Sequence, residues 1–262
     1  MTQARRFNVE ILSPQEICEL RCEGPYKVLR CGGNGKEISA KALMLATGVK
    51  WRKLPAPNAE KFEGRGLYYG AAMTEAQNMA GEDVYIVGAG NSAGQAAVFF
   101  SEHAGRVIMI VRGKSLGEKM SQYLVDRLQS LPNVVIRLQS DVTELHGDEH
   151  LEAITVRDRT TNATEQVRTR CLFVFIGADP NTAWLNDHVA LESHGFILTG
   201  TDLKPENLKE WQLSREPYLL EASVPGVFAA GDVRHESIKR VASAVGEGSV
   251  AVHFVHRYLA AS

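Results

Sequence analysis

The chain is short of paired cysteines, of long apolar runs and of net charge, and each shortage excludes something. Only four cysteines occur in 262 residues, Cys18, Cys22, Cys31 and Cys171, with no C-x-x-C pair and no second ligand pair at zinc spacing. They read as structural thiols in a reducing compartment. Nowhere do 18 apolar residues run together, and Met1 to Glu10 lacks the apolar stretch of a signal peptide. The chain is therefore expected to be cytoplasmic, with no membrane partner. A formal charge of −2, from 29 basic and 31 acidic residues, gives no general attraction to nucleic acid. The eight histidines form no H-E-x-x-H and no cluster with cysteine. His253 and His256 read as surface or interface residues and not as a metal pair. No Ser-His-Asp arrangement stands out either, which leaves a small molecule or a protein as the expected partner.

What is present centres on one stretch. Val84-Tyr-Ile-Val-Gly-Ala-Gly-Asn-Ser-Ala-Gly94 runs from an apolar strand through a glycine turn into a helix that continues to about His103. This is the dinucleotide-binding pattern: Gly88 permits the tight turn, Gly90 lets backbone approach a pyrophosphate, and Ala93 keeps helix and strand close. Asn91 and Ser92 open the helix, whose free N–H groups and positive dipole end would face the phosphates.

The length allows one large domain or two smaller ones, and the pattern of strands favours two. Four segments share one design, an apolar strand running into a small-residue turn: Leu43 to Gly48, Tyr85 to Gly90, Phe173 to Ala178 and Val227 to Asp232. Separated by helices and antiparallel excursions, they suggest two nucleotide-binding sheets. Short antiparallel strands are expected at Phe7–Leu12, Tyr26–Arg30 and Gly35–Ala40, with a meander between Val134 and Arg170. Arg106–Val111 reads as a strand, and a helix from about Leu116 to Leu131 would bury Met120, Tyr123, Leu124, Leu128 and Leu131. Val49 to Gly66, with Pro55, Pro57, Gly64 and Gly66, reads as a linker, and its basic cluster at 50–53 as solvated loop. A final amphipathic helix is expected over Val250–Leu259.

In this order the motifs resemble the thioredoxin reductase-like branch of the pyridine nucleotide-disulfide oxidoreductases, FAD- and NAD(P)H-dependent flavoenzymes. The likeness spans nearly the whole chain. It is carried by Ala46-Thr47-Gly48, by Glu63-Gly-Arg-Gly66, by Gly88-Ala-Gly-Asn-Ser-Ala93, by Phe175-Ile176-Gly177-Ala-Asp-Pro-Asn-Thr182 and by Val224-Pro-Gly-Val-Phe-Ala-Ala-Gly231-Asp232-Val233. The resemblance implies an α/β fold of two Rossmann-like, three-layer domains. Residues 1–66 and 181–262 would form a FAD-binding domain incomplete at its N-terminus, and 67–180 the NAD(P)H-binding domain. The two would rotate against each other about linkers near Gly66 and Pro180. A homodimer is the family's common assembly.

The resemblance also distributes roles. Gly231 and Asp232 would lie along the ribityl chain of FAD, where an ionised carboxylate accepts hydrogen bonds from the polyol; a plain turn-forming role for Asp232 is the alternative. Arg240, Val241 and Ala242 would lie beside the flavin ring. Three departures follow. The chain has one glycine fingerprint where the family has two, and its order assigns that fingerprint to the nicotinamide cofactor, with FAD expected from the family. The family's two redox cysteines fall on Gly70 and Met73, neither of which can exchange disulfides. The family's 2′-phosphate pattern is reduced to Arg112 and Lys114, which with no acidic residue beside them favour NADP(H) over NAD(H). The expected function is a flavoprotein oxidoreductase that passes hydride from NADPH to FAD and on to an acceptor other than an internal dithiol. The alternative is an NADP(H)-binding sensor or interaction module without FAD.

Overall fold

The computed structural model describes residues 6–33, 35–70, 81–185, 188–209 and 211–261. The chain divides into two units, Met1–Lys50 with Asp179–Ser262, and Trp51–Ala178. In chain order, the first unit holds β1 (Ile17–Glu23), β2 (Tyr26–Cys31), β3 (Glu37–Ala40) and β4 (Leu43–Leu45), and β5 (Val49–Trp51) leads out of it. The second holds β6 (Leu67–Tyr69), β7 (Asp83–Val87), α1 (Asn91–Ser101), β8 (Arg106–Ile110), α2 (Gln122–Gln129) and β9 (Val134–Arg137). It continues with β10 (Ser140–His146), β11 (Ala153–Asp158), β12 (Thr164–Arg168) and β13 (Leu172–Val174). The chain returns through β14 (Ala178–Pro180), which pairs with β5, to β15 (Val227–Ala229) and α3 (Val241–Ala260).

The second unit is a three-layer sandwich around a parallel sheet of order β6-β13-β7-β8-β9. Both faces of its central strands are covered, so β7 and β8 read as nearly continuous apolar runs. On one face Val84, Ile86, Val107 and Met109 pack against Ala93, Ala96, Ala97 and Phe100 of α1 and against Leu124 and Leu128 of α2. The alanines bring α1 close to the sheet, and Phe100 meets Phe173 of β13 with ring centroids 4.3 Å apart. On the other face Tyr85, Val87, Ile108 and Ile110 pack against Val142, Leu145, Ile154 and Val156 of the antiparallel meander β10-β11-β12.

Some expectations change here. The helix expected over 116–131 is regular only at Gln122–Gln129. Leu116 and Met120 are buried from the loop before it, whereas Tyr123, expected in the core, is 69% exposed. The segment 51–66 packs as part of the second unit: Leu54, Ala59 and Phe62 join the meander-side core, and the Leu54 N–H donates to the Tyr69 hydroxyl at 3.0 Å. Gly66 is wedged there, not placed at a crossing between units. At φ +113° a Cβ on it would stand 2.5 Å from Leu151 Cβ and 2.7 Å from the Arg170 carbonyl oxygen.

The first unit is built on an antiparallel sheet β1-β2-β3 and a parallel pair β4-β15. Leu20, Leu45, Val227, Ala229, Ile197 and Val233 form its core, and α3 contributes the buried Ala251 and Tyr258. A buried carboxylate holds its irregular 211–226 segment. Glu221, wholly inaccessible, accepts both ends of the Arg215 guanidinium at 2.6 and 3.0 Å and the N–H groups of Tyr218 and Gly226. No strand forms at 7–12, where Phe7 is 82% exposed, while β1 forms where none was expected. The last helix begins at Val241, well before Val250. The helix Val241–Ala260 is nonetheless short of what a membrane span needs in apolar character, as are the other described helices.

Candidate dinucleotide-binding site

In the second unit the chain runs from β7 to β8 and β9 on one side, and β13 lies against β7 on the other. The carboxyl ends of β7 and β13 thus form the point where strand order reverses, where ligands bind in open α/β sheets. Gly88–Gly90 leaves β7 there, and Phe175–Gly177 leaves β13. The two turns touch: at φ +150° a Cβ on Gly88 would stand 2.5 Å from the Phe175 carbonyl oxygen and 3.0 Å from Ala93 Cβ. Gly90 differs. Its φ of −88° suits any residue, and a Cβ there would meet only the Lys119 carbonyl oxygen, at 4.0 Å. Its missing side chain therefore serves no packing need; it leaves the backbone open above the start of α1.

That start is suited to an anion. The first intrahelical bond runs from Gly94 N–H to Gly90 O at 3.1 Å, so the earlier N–H groups have no helical acceptor, and no acidic residue occupies the first turn. Ser92 is exposed and Ala93 is fully buried. Asn91 has a different task from its neighbours, because its Oδ1 accepts the Ser121 N–H at 2.8 Å and so pins the 113–121 loop beside the turn. Ile176 is half-buried on the meander-side core, and Gly177 beyond it adopts φ +99° and accepts the Arg52 N–H at 3.0 Å.

Arg112 and Lys114 follow β8, at the neighbouring strand end; Arg112 is exposed, and so is Lys114. They line a cavity of about 370 Å³ with Gly113, Glu118, Gln139, Arg159 and Thr160. Sequence reading did not find the last four, because they come from the pinned loop, the β9–β10 connection and the β11–β12 turn. That turn is tightly held. Asp158 Oδ1 accepts the Thr160 hydroxyl at 2.5 Å and the N–H groups of Thr160 and Thr161 at 2.7 and 3.0 Å. The Thr160 hydroxyl and the two backbone donors hold the Asp158 carboxyl down at about 2.

In the first unit the sequence-predicted residues also gather at one strand end. Ala46-Thr47-Gly48 follows β4 and Gly231-Asp232 follows its partner β15, with Ala230 N–H bonded to Leu45 O at 3.0 Å. Asn181 clips the first turn by donating to the Thr47 carbonyl at 2.8 Å and accepting the Thr47 hydroxyl on its own carbonyl at 3.0 Å. Arg240, Val241 and Ala242 open α3, and a Cβ on Gly231 would lie 3.3 Å from Ala244 Cβ in its first turn. Glu247 of α3 fixes the second turn, accepting Gly231 N–H at 2.7 Å and the Arg234 guanidinium at 2.6 Å. Burial alone would raise the Glu247 carboxyl, but the bonds from Arg234 and the Gly231 N–H outweigh it and hold the carboxyl below its ordinary value. Asp232 is half-buried and has no hydrogen-bond or ion-pair partner among the described residues, which suits an acceptor for hydroxyl groups.

Gly70, in the position of one family cysteine, follows β6 at φ +97° in open space. Met73 lies outside the described residues. None of the four cysteines is in a disulfide: Cys18 and Cys22 sit on β1, Cys31 on β2, and Cys171 is buried ahead of β13.

Comparison with known proteins agrees with this geometry. The profile of the family described as pyridine nucleotide-disulphide oxidoreductase matches residues 5–248. A 34.2 kDa protein in the rubredoxin operon of Clostridium pasteurianum is 32% identical over 219 residues, 84% of this chain and 65% of that protein. An alkyl hydroperoxide reductase component of Pseudomonas putida is 32% identical over 250 residues, 94% of this chain but 44% of its own length. The chain thus spans less than two thirds of either relative. The solved thioredoxin reductase of Streptococcus pyogenes superposes with a TM-score of 0.73 at 25% identity, covering 100% of this chain and 78% of the other. With the family profile across most of its length and the two Rossmann-like units in place, the chain belongs to the pyridine nucleotide-disulphide oxidoreductase family and has its thioredoxin reductase-type fold.

Proposed function

We propose that this chain is a flavin-dependent NADPH oxidoreductase that delivers reducing equivalents to an acceptor outside itself without an internal dithiol. The observation that carries the reading is the site in the second unit: an open Gly90 above a helix N-terminus, with cationic Arg112 and Lys114 at the next strand end. Gly88 to Ala93 would hold the pyrophosphate, and Arg112 with Lys114 the 2′-phosphate. Gly231, Asp232 and the Ala46-Thr47-Gly48 turn would hold the flavin's polyol, with Arg240 to Ala242 beside its ring. When bound, the two cofactors supply the hydride chemistry. The chain's own residues bind and orient, and no protein nucleophile is required. Gly70 bears no thiol, so the acceptor would draw on the flavin directly.

The test is cofactor uptake by the purified chain. NADPH titration followed by nicotinamide fluorescence should saturate, and added FAD should remain with the protein through gel filtration, giving it flavin absorption. Absence of NADPH binding would overturn the reading. NADPH binding with no FAD retained would make the chain a nucleotide-binding module instead of an oxidoreductase.

A further inference from the structure

Three cationic side chains, not two, line the cavity beyond β8: Arg112, Lys114 and Arg159. Arg159 comes from the β11–β12 turn, far along the chain, yet three bonds or contacts fix it against Arg112. Its N–H donates to the Gln139 carbonyl at 2.8 Å, and its Nη1 donates to the Arg112 carbonyl at 3.1 Å. Its Nε stands 3.7 Å from Asp141 Oδ2. Asp141 is already committed to the Arg157 fork at 3.0 and 2.7 Å, so it offsets little of the Arg159 charge. A guanidinium has five N–H donors, and the Arg112 carbonyl takes one. Neither Arg112 nor Lys114 has an ion-pair partner among the described residues. One carboxylate, Glu118, shares the cavity, and its Oε2 would lie 3.1 Å from a Cβ on Gly113.

Three cations with so little compensation around a cavity of about 370 Å³ are costly to hold together unless a multiply charged anion enters. The cavity sits at the end of the strand after the glycine turn, where such folds read the adenosine ribose. A monophosphate with three acceptor oxygens matches a guanidinium fork better than a ribose hydroxyl does.

We propose that Arg159 is a specificity-determining residue, the third cation that selects a 2′-phosphorylated dinucleotide over its unphosphorylated counterpart. This rests on reading the second unit as the nicotinamide site. The Asp158-capped turn presents Arg159 ready-placed, so little side-chain entropy is lost when the phosphate arrives.

The experiment titrates the full chain and its Arg159→Ala and Arg159→Lys variants with 2′,5′-ADP and with 5′-ADP by calorimetry, with melting temperatures alongside. The wild type should bind 2′,5′-ADP more tightly. R159A should lose about ten- to a hundredfold of that advantage with 5′-ADP affinity and melting temperature unchanged. R159K, which keeps the charge and loses the fork, should fall between. An unchanged preference in R159A would overturn the role of Arg159 and leave the NADP(H) reading standing. Equal losses for both ligands would also overturn it, as a packing or adenine-stacking role. A wild type with no preference for 2′,5′-ADP would overturn both this inference and the NADP(H) reading beneath it.

Discussion

Gly90→Ala separates binding from folding more cleanly than any other change in the chain. The backbone at this position is ordinary, with φ −88°, and the new methyl group would meet a single atom, the Lys119 carbonyl oxygen, at 4.0 Å. Packing strain is thus absent. The one stability term is the N-cap position, where alanine is poorer than glycine by about 1 kcal/mol or less, or a melting-temperature change of about 2–4 °C at most for a chain of this size. The same methyl projects into the space a pyrophosphate must enter to reach the first N–H groups of α1. Displacing a phosphate from one such charge-assisted bond costs about 1.5–3 kcal/mol, or about ten- to a hundredfold in affinity. Thermal melting and NADPH titration of G90A against wild type read the two effects independently. Gly88→Ala is the control with the opposite signature, because its Cβ would clash at 2.5 Å with the Phe175 carbonyl oxygen and so should unsettle the fold itself. Undiminished NADPH affinity in a well-folded G90A protein would refute the placement of the pyrophosphate on this turn.

Other outcomes follow from the same structure. Glu221→Ala leaves the Arg215 guanidinium and two backbone N–H groups without their buried partner, and should cost about 3–5 kcal/mol in urea unfolding; a loss under about 1 kcal/mol would mean water replaces the carboxylate. Phe173→Ala removes a fully buried ring between Tyr68 and Phe100 and should cost about 3–5 kcal/mol by the same assay. Glu247 gives a pH-dependent term. Its folded carboxyl lies below the ordinary 4.5, so its stabilisation is complete above that pH and is lost as pH falls through the lower folded value. The melting-temperature gap between wild type and Glu247→Gln should therefore be constant near neutrality and close in that acid range; a gap that persists there would contradict the ion-pair account. Glu118→Gln removes the one carboxylate from the cationic cavity and should tighten 2′,5′-ADP binding without affecting 5′-ADP.

The four apolar strands that end in small-residue turns were plain in the sequence, and in the structure they pair in twos, β7 with β13 and β4 with β15. Their signal is local: strands buried on both faces carry no polar alternation, and their ends must be small where a ligand approaches. The first unit's β1 was hidden because Ile-Cys-Glu-Leu-Arg-Cys-Glu carries charges on a half-exposed edge, with only Leu20 fully buried. The start of α3 was hidden by Gly246 and Gly248, which disfavour helix locally, while Glu247 between them is held by Arg234 and the Gly231 turn. Pro55, Pro57 and Gly66 made 49–66 read as a linker, because nothing local shows that Phe62 fits the meander-side core. Arg159 was beyond reach for the same reason. Its neighbours in sequence announce a turn, and only the meander's fold brings that turn beside Arg112.

The central claim is that a dinucleotide held on the Gly88–Ala93 turn reduces a flavin held at Gly231–Asp232 in the same chain. Anaerobic mixing of NADPH with the FAD-loaded protein, followed by flavin absorption, tests it most directly. The account predicts rapid bleaching with NADPH, slower bleaching with NADH, and loss of the NADPH response in G90A. A flavin that stays oxidised while NADPH is bound at saturation would contradict it.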